Sequence, residues 1–273
     1  MTHSFDDTLR LEPAGPHRWQ GAPGQAYWNM VGPFGGTTAA ALLQAVMLHP
    51  ELLGEPAALT VNYAAAIADA PFAIEARPVR TNRSTQHWTL TMTQAGADGE
   101  EAVVTTGTAV TAVRRATWGG TDVPMPQVPP PADLPAIGTL PGIAWSRRYE
   151  LRPIAGAPPL SWDGAEGTGS LSRLWMRDTP PRPLDFCALA AFCDMFYPRV
   201  WLRRASRVPA GTVSITVYFH ADAAALAATG DGYLLGQAQG QEFRNGFFDQ
   251  SAQVWNAAGT LLATSHQIVY YKE

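Results

Sequence analysis

The sequence predicts an α+β fold in which two antiparallel sheets each wrap around a central helix. Three observations lead there. A proline-rich stretch, "TDVPMPQVPPPADLPAIGTLPG", divides the 273 residues near their middle, and its prolines exclude a helix interior or a central strand. On each side of it, one apolar helix is followed by strand-like segments in the same order, the signature of an internal repeat. Both helices are apolar nearly all round, so each must be covered on most sides. A curved antiparallel sheet supplies that cover.

In the first repeat, 1–116, a short strand is expected near 8–11, and "GPFGGTTAAALLQAVMLHP" places a helix over 36–48, preceded by Gly35-Gly36 and ended by Pro50. The segments "AALTVNYAAAI", "PFAIEARPVR", "STQHWTLTMTQ" and "EAVVTTGTAVTAVR" follow as strands. "HWTLTMTQ" alternates, with Trp88, Leu90 and Met92 on one face and threonines on the other. Asp98-Gly99 supplies a hairpin turn. The linker occupies 117–142. In the second repeat, 143–273, a strand near 169–176 precedes a helix over 184–197 closed by Pro198. "TVSITVYFHA", "GYLLGQAQGQ", "GFFDQSAQVW" and "TLLATSHQIVYYK" follow as strands, with Gly259 at the turn that matches Gly99. Arg83 to Gln94 and Arg244 to Trp255 are both eleven residues apart, and each pair spans a strand. A helix sheathed in this way is a hotdog, and two in one chain make a double hotdog.

A chain that is 46% hydrophobic and 15% charged is globular and not disordered, and a net charge of -4 argues against a nucleic-acid partner. Cys187 and Cys193, the two cysteines, lie six apart on one helix, face different ways, and read as core residues and not as a disulfide. The six histidines show no metal-ligand spacing, so no metal or other cofactor is expected. A basic-then-apolar leader and a run of about 18 apolar residues are both missing, which reads as a cytoplasmic protein with no membrane span. There is no G-x-S-x-G elbow, P-loop or dinucleotide fingerprint.

The residue that asks for an explanation is Asp194, in "LDFCALAAFCDMFYP". Its apolar neighbours threaten to desolvate it, and the negative end of its own helix repels it. It reads as a solvated helix end, a buried acid paired with an arginine, or a catalytic base. Asp185, near the helix start, is explained by the dipole. Arg199, Arg203, Arg204 and Arg207 form either a solvated basic loop or a site for phosphates.

These segments, in this order and spacing, resemble the bacterial type II acyl-CoA thioesterases, and more broadly the TesB-like superfamily. "GPFGGTTAAALLQAV", "LTVNYAAAI" and "RTNRSTQHWTLTMTQ" carry the resemblance in the first half, and "LDFCALAAFCDM", "GTVSITVYFHA" and "WNAAGTLLATSHQ" in the second. The resemblance implies hydrolysis of acyl-CoA, the substrate partner, to a free acid and CoA without a covalent intermediate. It implies that Asp194 on the second helix, Thr212 at a strand start and Gln267 on the last strand hold the attacking water. The chain departs from the family at Gln267-Ile268-Val269, where Gln-Glu-Gly is common, and at Asn82-Arg83-Ser84. Ser214, two residues from Thr212, is expected on the same side and competes for the hydroxyl role. Gly35 or Gly36, at a helix N-terminus, is expected to bind substrate and stabilise the oxyanion, unless the pair serves helix entry alone.

The repeat supplies an internal comparison. Matching "HP" to "YP" sets Val46 opposite Asp194, and matching Gly99 to Gly259 sets Gly107 opposite Gln267. One polar triad per chain is therefore expected. Two rival functions remain: a hotdog hydratase acting on an enoyl or hydroxyacyl thioester, disfavoured because the second helix has no histidine, and a non-catalytic acyl-thioester binding protein. The acyl group and the choice between monomer and homo-oligomer stay open.

Overall fold

The computed structural model describes residues 2–96, 99–140, 142–158 and 161–272. The first half comprises α1 (Ser4–Thr8), β1 (Glu12–Gly15), β2 (Arg18–Gly21), α2 (Gly35–Met47), β3 (Glu55–Tyr63), β4 (Phe72–Thr81), β5 (Thr85–Ala95) and β6 (Glu101–Ala112). The second comprises β7 (Tyr149–Ala155), β8 (Ser172–Asp178), α3 (Phe186–Phe192), α4 (Arg199–Arg204), β9 (Ala210–Phe219), α5 (Ala223–Thr229), β10 (Leu234–Gln239), β11 (Phe243–Arg244), β12 (Phe247–Asn256) and β13 (Leu261–Tyr271).

The strand order is β1-β2-β4-β5-β6-β3-β9-β13-β12-β10-β8-β7, with β11 on β12. The order is symmetric about β3-β9, each strand of the first half having its counterpart in the second. The two expected sheets are thus one continuous sheet, because β3 and β9 pair antiparallel from Ala58↔Tyr218 to Asn62↔Ser214. That pairing satisfies two rows of backbone groups that would otherwise be open edges. The sheet curls around α2 and α3, which pack on each other. Every residue of α3 is buried, and α2 is buried without a break from Gly36 to Leu43.

The strand expected near 8–11 is not there. Ser4–Thr8 is a helix whose start is capped by His3, and β2 is the true counterpart of β8. The expected Asp98-Gly99 turn lies partly outside the described residues; Gly99 and Gly259 have φ of +83° and +88°, the left-handed turn conformation glycine tolerates. The second helix is shorter than expected. It stops at Phe192, and Asp194 sits in the tight turn beyond, its N–H bonded to the Ala191 carbonyl at 3.1 Å. The linker is not a loose spacer. Met125, Val128 and Leu134 cover Trp175, Leu235 and Trp255, and the Trp175 indole donates to the Pro129 carbonyl at 2.9 Å.

The structure also corrects the alignment of the halves. The Val104 carbonyl accepts from Ala64 and Ala65 just as the Leu262 carbonyl accepts from His220 and Ala221. Val104 therefore matches Leu262, and Gln267 falls opposite Ala109, not Gly107. At the helix ends, His49 N–H bonds the Val46 carbonyl as Asp194 N–H bonds that of Ala191. The counterpart of Asp194 is His49, not Val46, because α2 and α3 differ in length and match only at their C-terminal caps.

Arg199, expected in a basic surface cluster, is fully buried. Its guanidinium donates to the carbonyls of Tyr197 and Ser170 at 2.9 Å and to the Ser172 hydroxyl, pinning the turn after Asp194 to the sheet. An arginine with no exposed surface cannot meet a phosphate. Arg199→Met leaves these buried acceptors without their donor, each at about 1–3 kcal/mol. Denaturant unfolding should show a loss of about 3 kcal/mol or more.

Candidate active site

The end of α3 and the start of α2 meet closely. A Cβ on Gly35 would lie 2.7 Å from Asp194 Oδ2, and one on Gly36 would lie 2.7 Å from the Ala191 carbonyl oxygen. The two glycines thus let the turn carrying Asp194 sit on the N-terminus of α2. The repulsion expected from Asp194's own helix is offset by the positive end of α2. The Tyr63 hydroxyl fixes that end by donating to the Gly35 carbonyl at 2.8 Å.

Asp194 is held by neutral donors. Gln267 Nε2 donates to its Oδ1 at 2.9 Å and also to the Cys193 carbonyl at 3.4 Å. Thr212 Oγ1 donates in turn to Gln267 Oε1 at 3.4 Å. Burial raises the Asp194 carboxyl to about 7, against the opposing pull of the Gln267 and Gly36 amides. A second buried carboxyl, Asp178, is also raised to about 7 by burial, but it does not line the cavity described below.

The expectation that Ser214 shares a face with Thr212 fails. A β-bulge lies opposite Ile268 and Val269, where Ser214 pairs with Ile268 and Thr212 with Val269. Val269 is buried and Ile268 is 38% exposed. The extra residue, Val213, turns Thr212 inward and leaves Ser214 outward, the re-aiming a bulge achieves. No signal in "GTVSITVYFH" announces it.

Asp194, Thr212, Gln267 and Gly35 line one cavity of about 510 Å³. Its walls are largely apolar and aromatic, with Phe34, Trp145 and Phe196 among them, the surroundings a small-molecule site uses to exclude water. Gln250 lines it too, a residue the sequence reading passed over because strand alternation marks it only as inward. Among the described residues the matching place in the first half is filled. Trp88 takes the place of Gln250 and packs against His49 at 4.9 Å between ring centres.

His17, His49 and Glu51 bring three ligand-type atoms within 4.8 Å, which the sequence spacing did not suggest. His49 Nδ1 accepts from the Glu51 N–H at 3.1 Å, so its proton sits on Nε2, facing His17 Nδ1 at 2.6 Å. The pair is a closed hydrogen bond that uses both facing nitrogens. Among the described residues, no helix is long and apolar enough to cross a membrane.

Comparison with known proteins agrees with this fold. A structure from Alicyclobacillus acidocaldarius, a conserved protein of unknown function with a hot dog fold, is 50% identical, with a TM-score of 0.93, covering 100% of this chain and 99% of its own. The tesB protein of Mycobacterium avium subs paratuberculosis (17% identity, TM-score 0.77) and the acyl-CoA thioesterase II TesB2 of Mycobacterium marinum (18%, 0.75) each cover 98% of both chains and share the fold. No curated protein matches the chain. Residues 25–112 match the acyl-CoA thioesterase N-terminal domain and 124–271 the C-terminal domain. With both halves matched, the chain belongs to the acyl-CoA thioesterase family, a family of thioester hydrolases.

Proposed function

We propose that this protein hydrolyses acyl-CoA to a free carboxylic acid and CoA, with Asp194 as the base that activates water and with Gln267 and Thr212 orienting it. The observation that carries the reading is the Thr212–Gln267–Asp194 hydrogen-bond chain, opening on the same apolar cavity. In this reading the chain divides as 1–116, 117–142 and 143–273, the last segment supplying all three polar side chains and the first supplying the N-terminus of α2.

The steps follow from the chemistry of the groups. A water oxygen adds to the thioester carbonyl carbon while Asp194 takes its proton, and the carbonyl π pair moves to oxygen. The oxyanion lies near the amide of Gly35, a preorganised donor at a helix N-terminus. Collapse of this intermediate breaks the C–S bond, and the proton on Asp194 passes to the departing CoA thiolate. The products are the acid and CoA, with no covalent intermediate. A base raised to about 7 by burial is matched to work near neutral pH. Among the described residues no histidine lines the cavity, which leaves the hydratase reading without an acid–base histidine there.

Asp194→Asn should lower kcat/KM for thiol release from a panel of acyl-CoAs by about 10²- to 10⁴-fold. Wild-type turnover by the variant would sink the mechanism, and acyl-CoA binding without turnover in either protein would favour a binding module. Because the ionised carboxylate is the active form, kcat/KM should rise with pH through about 7 and level off above it. Gln267→Leu removes a hydrogen bond that lowers the Asp194 pKa. Its residual pH profile should therefore have its rising limb displaced to higher pH; an unmoved limb would count against the contact.

A further inference from the structure

Thioester hydrolysis needs donors aimed at the carbonyl oxygen, where negative charge develops. Several polar groups around the cavity are already engaged, while the Trp145 indole and the Tyr197 hydroxyl, which also line it, have no partner among the described residues. Thr212 donates to Gln267, and Gln267 to Asp194. The Tyr63 hydroxyl donates to the Gly35 carbonyl, and the Trp201 indole to that of Val208. The Gly36 amide favours the charged form of Asp194.

Gln250 differs from the engaged groups, and it alone of the free ones stands directly across the sheet from Gln267. It is 4% exposed on the inner face of β12 and lines the cavity. Its side-chain amide has no hydrogen-bond partner among the described residues. It pairs directly across the sheet with Gln267, and opposed residues of antiparallel strands hold their Cβ atoms about 4.5–5.5 Å apart. Both amides therefore reach the same part of the cavity. Packing alone does not call for an amide here. Trp88, the counterpart in the first half, fills the same position, and its indole is satisfied by Thr111. An amide on the cavity wall with no protein partner keeps its donors for what enters the cavity.

We propose that the Gln250 side-chain amide donates to the carbonyl oxygen of the bound acyl thioester and stabilises the oxyanion as water adds. This rests on the thioesterase reading above and assigns Gln250 a place in it. The test uses acetyl-, octanoyl- and phenylacetyl-CoA as substrates. For the acyl group turned over fastest, it adds two unreactive analogues: the S-alkyl-CoA thioether, which lacks the carbonyl, and the S-(2-oxoalkyl)-CoA ketone, which keeps one.

Gln250→Met preserves side-chain length and removes the donors. It should lower kcat by about 10²- to 10³-fold, with KM changed little. Wild type should bind the ketone more tightly than the thioether in calorimetry, and the Met variant should lose that preference while keeping its affinity for the thioether. Gln250→Leu, with the same readouts, guards against a folding defect peculiar to methionine. Retention of kcat within about twofold, or an equal loss of affinity for both analogues, overturns the inference. Activity lost in Asp194→Asn but kept in Gln250→Met overturns this inference alone. Absence of wild-type turnover on every substrate would overturn the thioesterase reading, and the role of Gln250 with it.

Discussion

The contact between the turn carrying Asp194 and the first turn of α2 is the constraint around which the rest of the molecule is arranged. A methyl group at Gly35 or Gly36 would intrude to 2.7 Å on Asp194 Oδ2 or the Ala191 carbonyl. A carboxylate from one repeat can therefore meet the helix N-terminus of the other only because both positions are glycine. The meeting requires the two helices to lie side by side, and that depends on β3 pairing with β9 so that one sheet wraps both. Arg199, buried just beyond the turn, holds the following residues against the sheet through the Ser170 and Tyr197 carbonyls.

The two repeats keep the same frame and fill it differently. At the matched helix end, the second half carries Asp194 and the first His49. On the matched strands, Gln250 and Gln267 stand where the first half has Trp88 and Ala109. Trp88 and His49 pack ring against ring, and His49 is further closed by its hydrogen bond to His17. The positions that open on the cavity in the second half are taken by packed rings in the first. Large aromatic side chains achieve this at low conformational cost, since they bury much surface with few rotatable bonds. The asymmetry is thus a matter of a few side chains on an unchanged backbone, and it leaves one cavity holding the polar triad.

Much of this was legible in the sequence because it rests on periodicity and punctuation. Alternation in "HWTLTMTQ", Pro50 just beyond α2 and the two positive-φ glycines at Gly99 and Gly259 all report local constraints. Pro198 does not end α3, which stops at Phe192, and instead precedes α4. The α2 glycines were visible, but their purpose was not. They look like helix entry, and only the approach of α3 shows which atom they admit. The register between halves was misjudged by two residues at Gly107, because glycine turns fix a hairpin tip and not the pairing further along a strand that contains bulges. The choice between Thr212 and Ser214 was beyond the sequence for the same reason. Parity puts them on one face, and a single bulged residue reverses it.

The electrostatics of Asp194 follow from which donors surround it. Of the readings the sequence left open, pairing with an arginine is excluded by the partners the structure supplies, which are the Gln267 and Gly36 amides. Glu150 shows what cations do on the same fold. Burial raises its carboxyl, but hydrogen bonds from Tyr233, Arg177 and Arg152 hold it to about 2. A carboxylate held that firmly is ionised at any physiological pH, and for the same reason it is a feeble proton acceptor. Neutral amides act differently. They orient the carboxylate and partly offset its desolvation without cancelling it, which leaves Asp194 near 7. Replacing Gln267 by a cation would fix the charge and weaken the base. Leaving the position apolar would raise the pKa further and empty the site of its active form at neutral pH. The amide is the side chain that balances the two effects, and in the first half, where the matching place is taken by Ala109, there is no carboxylate to balance.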